Sequence, residues 1–277
     1  MGDLTDRVVV VTGANSGIGL AAATEFSRRG AHLGLVGRDP QRLAEAEQSV
    51  RAAGRPGTQV TAFRADFGEL AQVRALAQEL AAAYPAIHVL ANNAGLAVPR
   101  RAATVDGFET TIQTNHLAPF LLTNLLHERL AGGRVVNTSS DAHKGGLIDP
   151  DDLNSAERSY RALTVYGSSK QANILFAAEA ARRWPDILSF SYHPGVVRTR
   201  FGRDSALISA FYRISPFLRT PDKGADTLVW LATAPADQLV NGGYYVDRKR
   251  REPAPRAADA ENAARLWKTS ARAVRLT

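Results

Sequence analysis

Tyr166 and Lys170 stand four residues apart in a segment with helical periodicity, so their side chains share one helix face. A nearby ammonium favours a tyrosinate and thereby lowers the pKa of a phenol. Tyr166 could therefore act as a general acid towards a carbonyl or as a general base towards an alcohol. A surface Tyr/Lys pair is the alternative, because Tyr245 and Lys249 have the same spacing. That second pair follows a predicted strand, where residues four apart form no helical face.

Ser140 and Asn115 are polar residues that could take part in the same reaction. Ser140 follows the apolar segment Arg134–Thr138, and open parallel sheets bind ligands at the carboxyl ends of their strands. Its hydroxyl could stabilise charge that develops on a carbonyl oxygen. Ser139 is the competing residue, and a serine that caps a turn is the structural alternative. Asn115 lies in the predicted helix Asp106–Leu130, although asparagine is a poor helix former.

A glycine-rich segment near the N-terminus is suited to a dinucleotide pyrophosphate. The apolar strand Arg7–Thr12 runs into Gly13–Gly19, where the spacing is Gly-x-x-x-Gly-x-Gly. Glycine lets the backbone turn sharply and approach phosphates, and the N-terminus of a helix offers N–H groups and partial positive charge. An ordinary turn is the alternative. The cofactor interpretation is favoured because Asn115, Ser140, Tyr166 and Lys170, which could take part in one reaction, follow this segment along the chain.

Strand-like and helix-like segments alternate along the whole chain. Strands separated by single helices imply right-handed crossovers and a parallel sheet covered on both faces. The strands are predicted at Arg7–Thr12, Ala31–Val36, Gln59–Arg64, Ile87–Ala91, Arg134–Thr138, Ile187–His193 and Gly243–Val246. The helices are predicted at Gly17–Arg29, Pro40–Ala53, Glu69–Tyr84, Asp106–Leu130, Tyr160–Arg183, Asp222–Ala232 and Asp259–Ala273. The prediction is one doubly wound α/β domain over residues 1–277, with a mostly parallel seven-stranded sheet and a loose basic tether at Arg248–Ala258.

Composition excludes several function classes. The chain has 277 residues, no cysteine and a formal net charge of +7, so a disulfide framework and a cysteine nucleophile or metal site are excluded. No apolar run is long enough to span a membrane, and no signal-peptide pattern is present, so a cytoplasmic protein is expected. Positive charge concentrates in residues 198–219 and in the C-terminal extension 248–277. It accompanies no nucleic-acid recognition motif, and the scattered histidines predict no metal site.

The motifs together resemble the short-chain dehydrogenase/reductase family over nearly the whole chain. The matching segments are Thr12–Gly19, Asp66, Asn92–Gly95, Asn115, Ser140, Tyr166 with Lys170, and Pro194–Gly195. Within the family, the chain is most similar to the retinol-dehydrogenase group and its bacterial relatives. The segments that carry this similarity are Val135–His143, Ser168–Phe176, His193–Thr199 and Arg265–Trp267. The resemblance implies a Rossmann fold and hydride transfer between a nicotinamide dinucleotide and a carbonyl or alcohol.

The resemblance also implies roles for individual residues. Ser140 is favoured over Ser139, because the second serine of this pair usually acts in the family. Asn115 would distort its helix and hold a water that links Lys170 to solvent, with a structural asparagine as the alternative. The predicted catalytic residues are Asn115, Ser140, Tyr166 and Lys170. The predicted cofactor contacts are Gly13, Asn15, Ser16, Gly17, Ile18, Gly19, Arg38, Asp66, Phe67, Asn93, Ala94, Gly95, Tyr166, Lys170, Pro194, Gly195, Val197 and Thr199.

The end of the second strand indicates which dinucleotide is bound. Enzymes that prefer NAD usually place an acid there for the ribose hydroxyls, whereas this chain has Gly37 followed by Arg38. A guanidinium can pair with a 2′-phosphate and stack on adenine. Asp39 and Pro40 match a helix N-cap and the first helical position instead. NADP(H) is therefore the predicted cofactor, and the resemblance gives Asp66 to the adenine amine.

Two segments bear on the substrate. Ser140 and Tyr166 are 26 positions apart, about twice the gap in many family members, and the additional segment 141–159 contains His143. That histidine could contact substrate, although a lone loop histidine is more often solvated. In the family, the segment after the Pro-Gly motif closes over substrate, and residues 199–221 are rich in apolar side chains. Burial at about 25 cal/mol per Å² then favours a bulky lipophilic substrate; packing on the body or on a partner subunit is the alternative.

The predicted function is an NADP(H)-dependent oxidoreductase that interconverts a carbonyl and an alcohol, with reduction as the expected direction. Two alternatives remain. One is a reductase of C=C or C=N bonds in secondary metabolism. The other is a non-catalytic NADP-sensing scaffold, which the four occupied catalytic positions disfavour. The expected partners are a lipophilic small molecule and a second copy of the chain, bound through the helices 106–130 and 160–183; no nucleic acid and no transmembrane anchor are expected.

Overall fold

One eight-stranded sheet forms the centre of the computed structural model, which describes residues 2–197 and 218–276. The strands are β1 Val8–Thr12, β2 His32–Gly37, β3 Val60–Arg64, β4 Val89–Asn92, β5 Arg134–Thr138, β6 Leu188–His193, β7 Tyr244–Val246 and β8 Lys249–Arg251. Their order is β3-β2-β1-β4-β5-β6-β7-β8, and every pair from β3 to β7 is parallel. The central strands are continuous apolar runs because helices cover both faces of the sheet.

Two separate hydrophobic cores lie on the two faces of the sheet. The helices of the first face are α1 Gly17–Arg28, α2 Pro40–Ala53 and α7 Pro221–Thr233. The helices of the second face are α3 Leu70–Ala83, α4 Thr110–Ile112, α5 Ala118–Leu125, α6 Ala162–Arg183 and α9 Ala260–Ala273, with the short α8 Pro255–Ala258 before the last of these. The predicted doubly wound α/β fold is therefore confirmed.

The strand order reverses between β1 and β4, which are neighbours in the sheet although β2 and β3 lie between them in sequence. A crevice forms at such a reversal, outside the carboxyl ends of the strands. Thr12 ties the two strand ends together there, because its Oγ1 accepts hydrogen bonds from the backbone N–H groups of Asn93 and Ala94 at 2.9 and 3.0 Å. The reversal therefore places the glycine loop after β1 beside the polar turn after β4.

The C-terminal part of the sheet differs from the prediction. Seven strands were expected, but Lys249–Arg251 forms an eighth, antiparallel to β7. Asp247 and Arg248 make the tight turn between the two strands with φ values of 51° and 60°. Two-residue turns of this kind usually contain Gly at the second position, so the sequence Asp-Arg did not indicate a hairpin. The expected loose tether at 248–258 is thus a strand followed by α8.

The predicted helix over 106–130 is interrupted. It begins at Thr110, passes through a π-helical segment at Gln113–Leu117, and ends at Leu125 before a short 3₁₀ turn. Pro119 has no N–H to donate to a continuous α-helix, and π segments of this kind accompany functional sites. The interruption therefore falls at Asn115, as the family resemblance implied.

The C-terminal helix α9 covers the outer face of α5 and α6. Trp267 packs its ring 5.0 Å from the ring of Phe120 and 5.0 Å from that of Trp184. Ser270 Oγ lies 2.9 Å from Nε2 of the buried His116. α9 therefore packs on part of the two helices through which a second copy was expected. Within residues 2–197 and 218–276, no helix combines the length and apolar character needed to cross a bilayer.

Candidate active site

A cleft of about 840 Å³ opens at the carboxyl ends of the strands, above the reversal between β1 and β4. The predicted site residues that line it are Gly13, Asn15, Ser16, Gly17, Ile18, Arg38, Asp66, Phe67, Asn93, Ala94, Gly95, Ser140, Tyr166, Lys170, Pro194, Gly195 and Val197. Gly19 and Asn115 are buried behind the lining. Thr199 and most of the predicted substrate segment 199–221 lie outside the described residues. The fold thus brings the glycine loop, Ser140, Tyr166 and Lys170 to one cleft, with Asn115 behind its wall.

The glycine loop has the shape that a pyrophosphate requires. Gly13 adopts φ +66°, and a Cβ there would lie 2.9 Å from Cα of Ala94. A Cβ on Gly19 would lie 2.3 Å from the carbonyl oxygen of Gly13, so Gly19 closes the loop from beneath. Ser16, the residue before α1, is extended, and its side chain makes no capping hydrogen bond. The first N–H groups of α1 therefore have no side-chain cap, which suits an anion.

Three arginines surround the end of β2. Arg38 is 69% exposed, and its Nη1 lies 3.5 Å from a carboxylate oxygen of Asp66. Arg64 donates through Nε to the carbonyl oxygen of Arg38 at 3.3 Å. Arg42, which the sequence analysis did not select, also lines the cleft and lies 3.7 Å from the carboxylate of Asp39. The adenosine end of the cleft therefore carries a surplus of exposed positive charge.

Lys170 is the buried charge of the site. Lys170 lies in the third turn of α6 and is only 3% exposed, and its Nζ donates to the carbonyl oxygen of Thr138 at 3.0 Å. Burial lowers the pKa of Lys170 from 10.5 to about 8. The same Nζ lies 5.5 Å from the centre of the Tyr166 ring. The helical spacing and the hydrogen bond to the Thr138 carbonyl thus hold the Lys170 ammonium beside the ring of Tyr166, which lines the cleft.

The two serines after β5 have different surroundings. Ser139 is 1% exposed, and its Oγ donates to the carbonyl oxygen of Lys170 at 2.8 Å. Ser140 is half-buried and lines the cleft, and its Oγ accepts the backbone N–H of Ala142 at 3.2 Å. A hydroxyl whose lone pair is engaged in this way keeps its proton for donation. Ser139 ties β5 to α6, whereas Ser140 presents a donor to the cleft.

Asn115 connects the π-helical segment to the cleft wall. Its amide group donates to the carbonyl oxygen of Leu96 and to Oγ of Ser169, and accepts the backbone N–H of Leu96. A Cβ on Gly95 would lie 3.1 Å from Oδ1 of Asn115 and 3.4 Å from Nζ of Lys170. Asn115 therefore fixes the loop at Gly95 and Leu96, which lies between the Asn115 amide and the ammonium of Lys170.

Comparisons with known proteins agree with this geometry. A family model described as short chain dehydrogenase matches residues 7–206. The chain is a short-chain dehydrogenase/reductase. It is 56% identical over 273 residues to the "Putative daunorubicin C-13 ketoreductase DnrU" of Streptomyces sp. (strain C5), covering 99% of this chain and 94% of that protein. It is 40% identical over 273 residues to human retinol dehydrogenase 12, covering 96% of this chain and 86% of that one.

Solved structures give the same result. An uncharacterized protein from Mycobacterium paratuberculosis superposes with a TM-score of 0.82 at 34% identity, covering 99% of this chain and 96% of that chain. A Pseudomonas aeruginosa RhlG/NADP active-site complex superposes with a TM-score of 0.70 at 25% identity, covering 87% and 94%. The predicted family and fold are confirmed, and a nicotinamide dinucleotide is the cofactor class of this family.

Two histidines of this short-chain dehydrogenase/reductase differ from expectation. His143 was expected to be solvated or to touch substrate, but it is fully buried and does not line the cleft. His193, at the end of β6, lines the cleft and was not selected. Their roles depend on contacts with residues far away in sequence, so no local motif could have indicated them.

Proposed function

We propose that this short-chain dehydrogenase/reductase uses NADPH to reduce the carbonyl group of a bulky lipophilic substrate to an alcohol. The observation that carries the proposal is the convergence of Ser140, Tyr166 and Lys170 on the cleft that also holds the glycine loop. A general acid, a hydrogen-bond donor and a buried ammonium are the groups that carbonyl reduction requires from a protein. The nicotinamide, when bound, supplies the hydride.

Proton transfer is the task of Tyr166. Its hydroxyl donates a proton to the carbonyl oxygen as that oxygen gains negative charge, which leaves a tyrosinate. The ammonium of Lys170, 5.5 Å from the ring centre, favours this anion. In the oxidative direction the tyrosinate removes the alcohol proton.

Ser140 and Asn115 support this step in different ways. The Ser140 hydroxyl accepts from Ala142 and therefore donates its own proton towards the carbonyl oxygen. Such a donor stabilises the charge that develops in the transition state. Asn115 holds the backbone at Leu96 and Gly95, which lies between the Asn115 amide and the ammonium of Lys170.

The phosphorylated cofactor is favoured by the arginines at the end of β2. Arg38 and Arg42 both line the cleft, and no acidic residue stands at position 37. Asp66 lies 3.5 Å from Arg38 and Asp39 lies 3.7 Å from Arg42, so the two carboxylates orient these guanidinium groups, and Arg64 beside them adds a third positive charge. A 2′-phosphate would therefore find two cationic partners in reach of the adenosine ribose.

The cleft and the relatives support this substrate class. Leu96, Ala97, Val98 and Val196 add apolar surface at the catalytic end of the cleft. The names of the two relatives concern daunorubicin and retinol, a polycyclic ketone and a long polyene alcohol. We therefore favour a ring system or a long apolar chain that bears a ketone, aldehyde or alcohol.

The test is NADPH oxidation with a matched series of ketones of increasing apolar size. We expect kcat/KM to rise with size, and we expect the alcohol as product. The Phe211→Ala variant, which changes an apolar residue of the predicted substrate segment, should flatten this trend. Turnover that is independent of size would contradict the substrate class. Consumption of NADPH with a reduced C=C bond and an intact carbonyl would contradict the reaction.

A further inference from the structure

The peptide group that joins Ser140 to Asp141 is held by a histidine on each side. Its carbonyl oxygen lies 2.7 Å from Nδ1 of His143 and also accepts the backbone N–H of His143 at 3.0 Å. Its N–H donates to Nδ1 of His193 at 3.3 Å. His143 belongs to the 3₁₀ turn Asp141–Gly145, whereas His193 ends β6, so the two rings approach from different elements.

These contacts require opposite tautomers. Nε2 of His143 accepts the backbone N–H of Ala254 at 3.1 Å, so its proton must be on Nδ1, which donates to the Ser140 carbonyl. His193 accepts at Nδ1, so its proton must be on Nε2. Both rings are therefore neutral. Burial lowers the pKa of both imidazoles, which agrees with this state.

The surroundings of His143 keep its ring in place. The ring is fully buried and packs edge-on against Tyr244 of β7, with 5.1 Å between ring centres. The 3₁₀ turn lies so close to α6 that a Cβ on Gly167 would be 2.4 Å from the carbonyl oxygen of Ala142. The turn is thus fixed between α6, which carries Tyr166, and the segment that follows β8.

The peptide between residues 140 and 141 decides what the Ser140 hydroxyl can do. Rotation of this peptide would change ψ of Ser140 and would move the turn whose Ala142 N–H binds Ser140 Oγ at 3.2 Å. With that hydrogen bond in place, the hydroxyl accepts from the turn and donates to the cleft. Without it, the hydroxyl proton is free to turn to the backbone.

We propose that His143 and His193 form a clamp that fixes the Ser140–Asp141 peptide and so sets Ser140 as a hydrogen-bond donor to substrate. His143 is a positioning residue that never touches substrate, and it links the C-terminal segment at Ala254 to the active site. This inference rests on the proposed carbonyl reduction, because the clamp matters only if Ser140 donates a hydrogen bond to the substrate carbonyl.

Two substitutions of nearly equal shape test the clamp: His143→Asn and His143→Leu. Both lose the hydrogen bond from Ala254 and the contact with Tyr244. The backbone N–H of residue 143 donates to the Ser140 carbonyl at 3.0 Å in both variants, but only the asparagine can still add a side-chain donor to that carbonyl. We expect kcat of the Asn variant within about threefold of the wild type and that of the Leu variant about tenfold lower, the effect of one hydrogen bond. KM for NADPH and the melting temperatures of the two variants should agree.

His127 offers a matched control, because it precedes the amino end of β5 and contacts Trp184 instead of the cleft. His127→Asn and His127→Leu should have the same kcat. Equal kcat values for the two His143 variants would overturn the clamp and leave His143 as a packing residue.

The tautomers can be measured without a substrate. Long-range ¹H–¹⁵N correlation spectra of the wild-type protein should show His143 protonated at Nδ1 and His193 at Nε2 at neutral pH. The opposite tautomer at either residue, or a doubly protonated ring, would overturn the clamp. If the wild type reduces no carbonyl but these tautomers are found, the proposed function has failed while the clamp geometry stands.

Discussion

The two ends of the cleft use positive charge in opposite ways. At the adenosine end, Arg38 is 69% exposed and lies 3.5 Å from Asp66. At the catalytic end, Lys170 is 3% exposed, and its described partners are a carbonyl oxygen and an aromatic ring. Burial shifts the pKa of Lys170 to about 8. Solvent screens exposed charges strongly, whereas it screens buried ones much less.

Because the charges at the two ends differ in burial, we expect the adenosine end to control cofactor selectivity and the catalytic end to control the rate of reaction. An exposed guanidinium stays charged, and replacing it can change which dinucleotide binds at little cost to folding. A buried ammonium opposes folding, but its strong field acts on the adjacent phenol. Charge changes at the adenosine end should therefore alter which dinucleotide binds, and those at the catalytic end should alter turnover and stability.

Tyr166→Phe should have the largest effect. It removes the transferable proton and leaves the ring beside Lys170 in place. Loss of a general acid of this kind costs about 10²–10⁴-fold in rate. We expect turnover to be abolished and the affinity for NADPH, measured by fluorescence titration, to stay within a few-fold. Substantial activity in this variant would contradict the assignment of Tyr166 as acid and base.

Lys170→Met should reduce kcat by about 10²-fold and raise the stability of the cofactor-free protein. The carbonyl oxygen of Thr138 remains paired, because Asn173 also donates to it at 3.1 Å. The pKa of Lys170 is about 8 in the folded state, against 10.5 for a solvated lysine, so the unfolded chain binds more protons between these values. The penalty is fully present below pH 8 and disappears above about pH 10.5.

We expect the Met variant to gain about 1–3 kcal/mol in free energy of unfolding at pH 7, measured in urea, because the loss of one hydrogen bond and one ring contact offsets part of the penalty. The gain should shrink as pH rises from 8 to 10.5. A destabilised Met variant at pH 7 would show that the lysine is held by attraction and would break the comparison between the two ends.

Arg38→Asp should change the cofactor preference by about tenfold or more, since a charge-assisted hydrogen bond contributes about 1.5–3 kcal/mol. NADPH should bind less tightly and NADH relatively better, with kcat much less affected. Arg28→Asp makes the same charge change at the far end of α1, where Arg28 lies 3.7 Å from Glu25, and should leave the preference unchanged. Tighter binding of NADH than of NADPH to the wild type would contradict the NADP(H) proposal.

The smallest predicted effect is that of pH. As pH rises through about 8, the free enzyme should lose the Lys170 ammonium, and kcat/KM for NADPH in carbonyl reduction should fall a few-fold by pH 8.5. Arginine stays charged over this range, so the ratio of NADPH to NADH affinity should not change. A preference that titrates together with kcat/KM would show that the two ends are coupled.

Much of the cofactor end could be predicted from sequence, because short-range rules govern it. The loop from Gly13 to Gly19 needs glycine where the backbone turns and touches itself. Asp39 caps α2 through the backbone N–H of Arg42 at 3.0 Å, as its position before Pro40 indicated. The alternation of strands and helices likewise follows from hydrophobic patterning.

The catalytic end depended on tertiary structure to a greater extent. The sequence selected Ser140 over Ser139 only through a family resemblance, while the different hydrogen bonds of the two serines appear only when β5 packs against α6. The clamp needs Ala254, which is 111 positions from His143. Local sequence patterns carry no information about such pairings.

The sequence by itself therefore determined the doubly wound fold, the glycine loop and the four candidate catalytic residues, because each leaves a pattern within a few residues or a family motif. Only the tertiary structure decided the hydrogen bonds of Asn115, the burial of Lys170 and the packing of α9 on α6. The physical reason is that hydrogen-bond geometry, burial and the resulting pKa values are set by neighbours in space, which the folding of distant segments brings together.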